Sequence, residues 1–222
     1  MVKNVVKLLV LVLCLVTLSS NAYAAYEHGD FQIWNTDSEE VKIGKGTKFT
    51  MEQEFRYGAD ASEFFYQHYD WAFTWAFDKM LEIALGYRLA LEKVKSKWME
   101  EDEPYTNITA KLDVWKFKFE DRNRIEYRHF RFAPDQARYR NRFLLKYPFE
   151  FKTITIAPYV SDEIFISSNA TGFNQNRLES GLEFGLTNYA KASISYMQQQ
   201  VRGKNDKWYE ANVLWLKGKI AF

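Results

Sequence analysis

Residues 65–77 alternate with a period of two. Phe65, Gln67, Tyr69, Trp71, Phe73, Trp75 and Phe77 share one side, and Tyr66, His68, Asp70, Ala72, Thr74 and Ala76 share the other. An extended strand sends successive side chains to opposite faces, so this stretch reads as a strand with one almost wholly aromatic face. Beyond a tight turn at Asp78-Lys79, Leu81, Ile83, Leu85, Tyr87, Leu89 and Leu91 oppose Glu82, Ala84, Gly86, Arg88, Ala90 and Glu92. Strands that are apolar on one side and charged on the other can surround an apolar interior in water or a polar interior in lipid.

The two ends of the chain favour lipid. Lys3 and Lys7 precede an unbroken apolar run from Leu8 to Val16, followed by Asn21-Ala22-Tyr23-Ala24. This is the pattern of a secretory signal peptide, with cleavage expected after Ala24; the run is too short for a membrane helix, which takes about 20 residues. At the other end Phe222 is terminal, and Ile220, Gly218, Leu216 and Leu214 before it are apolar or small at every second position. A last strand closing on a terminal Phe is expected to serve as the insertion signal of a bacterial outer-membrane β-barrel.

Composition agrees with that reading. Aromatic residues make up 18% of the chain and charged residues 27%, a combination suited to aromatic girdles outside and charges inside. The mean hydropathy of −0.42 is ordinary because the alternation averages out. A net charge of +1 gives no reason to expect nucleic acid. The single cysteine, Cys14, falls in the leader, so residues 25–222 offer no disulfide or thiolate chemistry.

Ten strands are expected, at residues 47–57, 65–77, 80–93, 106–119, 122–132, 137–148, 152–166, 175–187, 190–201 and 208–222. Short turns near Asp78, Asp121, Phe151 and Asn188 would alternate with longer loops at 58–63, 95–105, 133–137, 167–175 and 202–207, and both termini would lie in the periplasm. Phase shifts between Leu112 and Trp115 and around His129 read as β-bulges. The organisation is thus a leader (1–24), a periplasmic or lumenal segment (25–46) and a barrel (47–222), in one all-β domain. A twelve-strand barrel that recruits part of residues 25–46 is the alternative.

The inward phase carries Glu52, Glu54, Arg56, Glu82, Arg88, Glu92, Lys111 and Asp113. It continues with Arg124, Glu126, Arg128, Arg138, Arg140, Arg142, Lys146, Glu163, Arg177, Glu179 and Glu183. Guanidinium groups on adjacent strands can pair bidentately with carboxylates, which buried charges require. A structural plug is the simpler outcome, because small barrels fill their interiors with side chains. An anion-attracting lumen built on Arg138, Arg140 and Arg142 is the sharper one.

Several runs also carry a family resemblance: Arg122-Asn-Arg-Ile-Glu-Tyr-Arg128, Arg138-Tyr-Arg-Asn-Arg142 leading to Tyr147-Pro148, Asp162-Glu163-Ile-Phe165 and Asn176-Arg177-Leu-Glu-Ser-Gly-Leu182. Trp34 and the Glu52-x-Glu54-x-Arg56 pattern fit as well. Together these resemble an uncharacterised family of bacterial outer-membrane β-barrel proteins known only as a domain of unknown function. The resemblance implies a barrel over nearly all of the chain after the leader and brings no activity or catalytic residue.

For catalysis, His68 and Asp70 share the inward face, and a carboxylate-oriented imidazole can act as a general base. A nucleophile would come from Ser62, Ser161 or Ser195, which spacing does not rank. His129, beside Arg128 and Arg131, reads as packing. Glu100-Glu101-Asp102-Glu103 in the expected 95–105 loop, with Lys93, Lys95 and Lys97 before it, reads as a solvated charge run, the sharper options being a divalent cation or lipopolysaccharide phosphates. The glycosylation patterns at Asn107 and Asn169 carry no weight in a protein expected to be bacterial. No cofactor or metal is expected.

The expected protein is a monomer in the bacterial outer membrane, in contact with lipid and lipopolysaccharide and, during insertion, with the barrel-assembly machinery. It would be structural or a narrow small-solute pore, the alternatives being an outer-membrane hydrolase or lipid-modifying enzyme, or a binding surface on the 95–105 and 167–175 loops. The rival fold is a soluble lipocalin-like barrel, whose apolar face would point inward.

Overall fold

The computed structural model describes residues 28–131, 133–168, 172–203 and 206–222. Twelve strands account for most of them: β1 (Asp30–Gly44), β2 (Thr47–Gly58), β3 (Glu63–Ala76), β4 (Leu81–Val94), β5 (Lys97–Val114), β6 (Phe117–Phe130), β7 (Gln136–Lys146), β8 (Phe149–Phe151), β9 (Ile154–Ser167), β10 (Gly172–Gly185), β11 (Ala190–Arg202) and β12 (Trp208–Ala221). Antiparallel pairing runs from β1 to β7, passes to β9, and continues to β12. The ring closes between β12 and β1, which run parallel from Asp30↔Ala211 to Glu40↔Ala221. It holds eleven strands, with β8 outside it. The pairing Phe149↔Ile156 keeps the register of Lys146↔Tyr159, so β8 prolongs β7 past Tyr147-Pro148, where proline has no N–H to donate.

The strand number corrects the expectation of ten, and equally of twelve. Both assumed an even count, which an all-antiparallel ring requires, whereas one parallel seam admits an odd number. Residues 30–44, expected to lie in the periplasm or the lumen, are wall strand β1. Asp30, Gln32, Trp34 and Thr36 are buried on its inner side. Its polar look comes from Asn35, Asp37 and Glu39, which take the outward phase. The expected leader, 1–24, and residues 25–27 lie outside the described residues. With eleven strands and a parallel seam, the first residue of β1, Asp30, and Phe222 sit at opposite rims, whereas an even count would put the first and last strand ends on one side.

Three further boundaries move. The loop expected at 95–105 is the two-residue turn Lys95-Ser96, after which β5 carries Glu100–Glu103 within the wall. The turn expected near Asp121 lies at Trp115-Lys116, where Trp115 has a φ of 55°; the phase shift before it is that turn and not a bulge. Around His129 the β5–β6 register keeps the same offset at Asp102↔His129 and at Tyr105↔Glu126, so there is no bulge there either. One does occur on β3: Arg56 pairs with Tyr66 and Tyr57 with Phe64, leaving Phe65 extra, and Phe65 and Tyr66 are both buried. The turn at Asp78 forms as expected, its Oδ1 accepting the backbone N–H groups of Met80 (2.6 Å) and Leu81 (2.8 Å).

Apolar side chains point outward and charged ones inward, the reverse of the lipocalin-like alternative. Trp71, Phe73 and Trp75 on β3, Leu85 and Tyr87 on β4, and Val160 and Ile166 on β9 are exposed. Rings cluster toward both rims: Phe64 lies 5.3 Å from Tyr57 and 5.3 Å from Trp98 toward the Asp30 rim, and Phe117 lies 5.1 Å from Tyr147 toward the Phe222 rim. The outer face also has a self-bonded polar patch. The Asn141 amide donates to Asp121 (2.5 Å) and Asn123 (3.2 Å), and Asn176 donates to Asp162 (2.7 Å).

Candidate functional site

The interior is a ribbon of ion pairs crossing five strands. Arg128 on β6 binds Glu101 and Glu103 of β5, the latter at 3.2 Å. Arg138 on β7 reaches back to Glu103 (3.1 Å) and also binds Glu126. Arg140 lies 3.5 Å from Glu126 and 2.9 Å from Glu163 of β9. Glu163 in turn accepts from Arg122 (2.7 Å) and faces Arg177 of β10 at 3.8 Å. Period-two alternation puts these residues on one face of each strand, and the antiparallel registers Glu126↔Arg138 and Arg142↔Glu163 set opposite charges side by side.

Aromatic rings line the same space. The Arg56 guanidinium, 2.6 Å from Glu54, lies 3.6 Å from the centroid of Trp34 and 4.0 Å from that of Tyr66. Arg177 and Arg140 lie 4.8 and 4.7 Å from Phe165, and Arg124 lies 3.9 Å from Tyr105 while its Nε donates to Asn107. Arg guanidinium groups stack on rings when they are dehydrated, so each ring holds a fork in place beside its carboxylate. Tyr105 also fills the space left by Gly86, where an added Cβ would come within 2.2 Å of its ring.

Every member of the projected network lies on a strand of the ring. Arg88 binds Asp70 at 3.0 Å. Glu179 accepts from Ser195 (2.7 Å), Tyr159 (2.6 Å) and Lys217. Glu183 binds Lys146 at 2.8 Å. Glu52 lines the lumen beside His68. Asp113 does not join them; it sits exposed near the Trp115-Lys116 turn, 3.8 Å from Lys118. Sequence reasoning missed Glu101, Glu103, Arg122, Lys217 and the lumenal rings of Trp34, Tyr105 and Phe165. Parity could have found Trp34, which is in phase with Asp30 and Gln32, and Tyr105, which is in phase with Glu101 and Glu103.

The His68 and Asp70 pair is not assembled. Asp70 is held by Arg88 and by the Tyr105 hydroxyl, while His68 lies between Glu52 (Nε2, 3.3 Å) and Glu54 (Nδ1, 3.7 Å). Ser161 and Ser195 bond Glu179, and Ser62 bonds the Ala59 carbonyl at the Asp30 rim, so none of the three approaches the imidazole. His129 points outward and lies 2.9 Å from Asp135. Hydrogen bonds from the Tyr127 hydroxyl and from His129 hold the Asp135 carboxyl below the usual carboxylate range. The charge run of β5 divides by parity: Glu101 and Glu103 enter the ribbon, whereas Glu100 pairs with Arg131 and Asp102 accepts from Tyr87. Among the described residues no group of three or more His, Cys, Asp or Glu is arranged to hold a metal ion.

A cavity of about 360 Å³ occupies the rest of the lumen, running from Arg56 and Arg177 to Glu40, Lys48 and Lys219 near the Phe222 rim. Ten Lys and Arg side chains line it against six Asp and Glu, so its field is positive. Toward the Asp30 rim the space is filled: Gln32, Trp34, Glu103, Glu126, Phe165 and Gln199 face inward and are buried.

No curated protein and no solved structure matches the chain. The family model described as "Protein of unknown function (DUF2490)" matches residues 31–210, from β1 into β12. The match takes in the whole ion-pair ribbon and every turn between strands, and the chain belongs to this family.

Proposed function

We propose that the protein is a β-barrel of the bacterial outer membrane whose lumen is closed by its ion-pair ribbon, a structural barrel with a blind cavity and no through-pore. The membrane part is supported by the outward apolar belt with rings toward both rims, and by strand length. β3, β4, β9, β10 and β12 have 14 residues each, more than the roughly 9–11 that a tilted transmembrane strand needs. Closed barrels satisfy their backbone groups internally, as lipid demands. The expected leader and terminal Phe222 fit the same address, and lipid and the barrel-assembly machinery would be its partners.

The observation that carries the closed lumen is the burial of inward side chains. A water-filled channel would leave them wet, yet Trp34, Gln32 and Glu126 are 0 to 1% exposed. The test is cell fractionation followed by planar-bilayer recording of the refolded protein. Recovery in the outer membrane with a silent bilayer is the expected result. Recovery as a soluble periplasmic protein would overturn the membrane reading. Stable conductance, with an anion preference that falls in Arg140→Glu, would replace the closed barrel by a narrow pore.

A further inference from the structure

Arg122 and Arg142 face each other directly across β6 and β7, an arrangement in which like charges repel. Their carboxylate supply is short. Glu163 accepts from Arg122 at 2.7 Å, but it also serves Arg140 at 2.9 Å and faces Arg177 at 3.8 Å. The Nε of Arg122 is buried without a hydrogen-bond partner. Among the described residues, no hydrogen bond or ion pair reaches the Arg142 guanidinium. Both side chains line the cavity, where cations exceed anions by ten to six. A fork–fork geometry with vacant N–H groups matches the oxygens of a phosphate or carboxylate, and a dehydrated guanidinium left without an anion is unfavourable. The volume of about 360 Å³ holds about twelve waters' worth of space at about 30 Å³ each, enough for a small oxyanion and part of its hydration shell.

We infer that the cavity binds a small oxyanion, a phosphate or a short carboxylate, between the guanidinium groups of Arg122 and Arg142, with access from the Phe222 rim. This deepens the reading of the lumen as a blind cavity and rests on it for the direction of access. Arg122 and Arg142, neighbours across β6 and β7 that both line the cavity, hold the anion from adjacent strands. The anion supplies the negative charge that Glu163 alone does not provide for its four neighbouring guanidiniums, those of Arg122, Arg140, Arg142 and Arg177. Binding is a charge-assisted contact shielded from bulk solvent, and it weakens with salt less than an exposed pair would.

The test is calorimetric titration of the refolded, detergent-solubilised full chain with inorganic phosphate and, separately, with succinate, alongside thermal unfolding with and without each anion. The wild type is expected to bind at least one probe saturably and to unfold at a higher temperature in its presence. Arg142→Gln is expected to weaken that binding at least about tenfold and to abolish the thermal shift. Without anion the variant should be no less stable than the wild type, since it removes a repulsion. Arg142→Lys, a point charge without the fork, should fall between them. Arg131→Gln, on the exposed rim pair with Glu100, should bind as the wild type does. Absence of saturable binding of both probes would overturn the inference, and so would equal affinity in Arg142→Gln. Conductance is read in a separate experiment, so an open pore would overturn the closed lumen while leaving the anion result to stand or fall by itself.

Discussion

Trp34 of β1 and Trp215 of β12 meet edge to face across the parallel seam, with ring centroids 5.3 Å apart and planes inclined by 71°. Each is held by polar contacts inside the barrel: Trp34 Nε1 donates to Gln32 at 2.9 Å, and Trp215 Nε1 donates to Thr36 at 2.8 Å. Arg56 and Lys217 cover them, each 3.6 Å from its ring centroid. Met197 and Val213 pack against Trp34 to complete a small apolar cluster among the interior charges.

Trp34→Ala therefore removes a fully buried side chain at the point of closure. A loss of about 3–5 kcal/mol is expected, read as a lower urea midpoint for the refolded barrel. Trp115→Ala, at a turn where the ring is 78% exposed, should leave the midpoint nearly unchanged. Equal effects would mean that the seam is not held by this pair.

Glu126 is buried and lies within ion-pair distance of Arg124, Arg138 and Arg140. Removing it leaves guanidinium groups without compensation, so Glu126→Ala is expected to destabilise by about 3–5 kcal/mol. Combined with Arg138→Ala the loss should be smaller than the sum of the two single losses, which a double-mutant cycle measures. Additive losses would show that the two side chains act independently.

Gly86 and Tyr105 interlock, and Gly86→Ala is expected to cost about 1–3 kcal/mol by forcing the phenol off its position. In a Tyr105→Ala background the same glycine change should be nearly silent. A full penalty in both backgrounds would place the strain in the backbone of β4 instead.

The division of the turns between two rims is open to a labelling test, because the only cysteine is Cys14 in the expected leader. Single cysteines at Ala133 and Lys207 report on one rim, and those at Lys79 and Lys116 on the other. With a membrane-impermeant maleimide on intact cells, the first pair is expected to label and the second to be protected. Mixed labelling within either pair would contradict the strand order.

Much of this architecture was legible because a two-residue period needs no knowledge of neighbours. Once a strand is placed, parity alone puts Glu126, Arg138 and Arg140 on the side opposite Ile125, Tyr139 and Leu145. What stayed hidden depends on pairings far apart in the chain. Nothing local in β1 announces that Trp34 will lie beside Trp215, so an even count looked necessary and Asn35, Asp37 and Glu39 made the segment look like a tail. Glu100–Glu103 looked like a loop because charges were counted without phase. The turn at Trp115-Lys116 was concealed by Val114 and Phe117, apolar residues on either side of a backbone that reverses through a left-handed Trp115.

The parallel seam also limits how the gene for such a barrel can be rearranged. Two antiparallel neighbours can be joined by a two-residue hairpin, but β12 ends at one rim and β1 begins at the other. Linking Phe222 to Asp30 would take a connection as long as the barrel is tall, threaded past side chains that fill the lumen toward the Asp30 rim. Circular permutation that joins these ends is therefore closed to this fold, although its ten strand-to-strand turns remain available as sites for insertion or cutting.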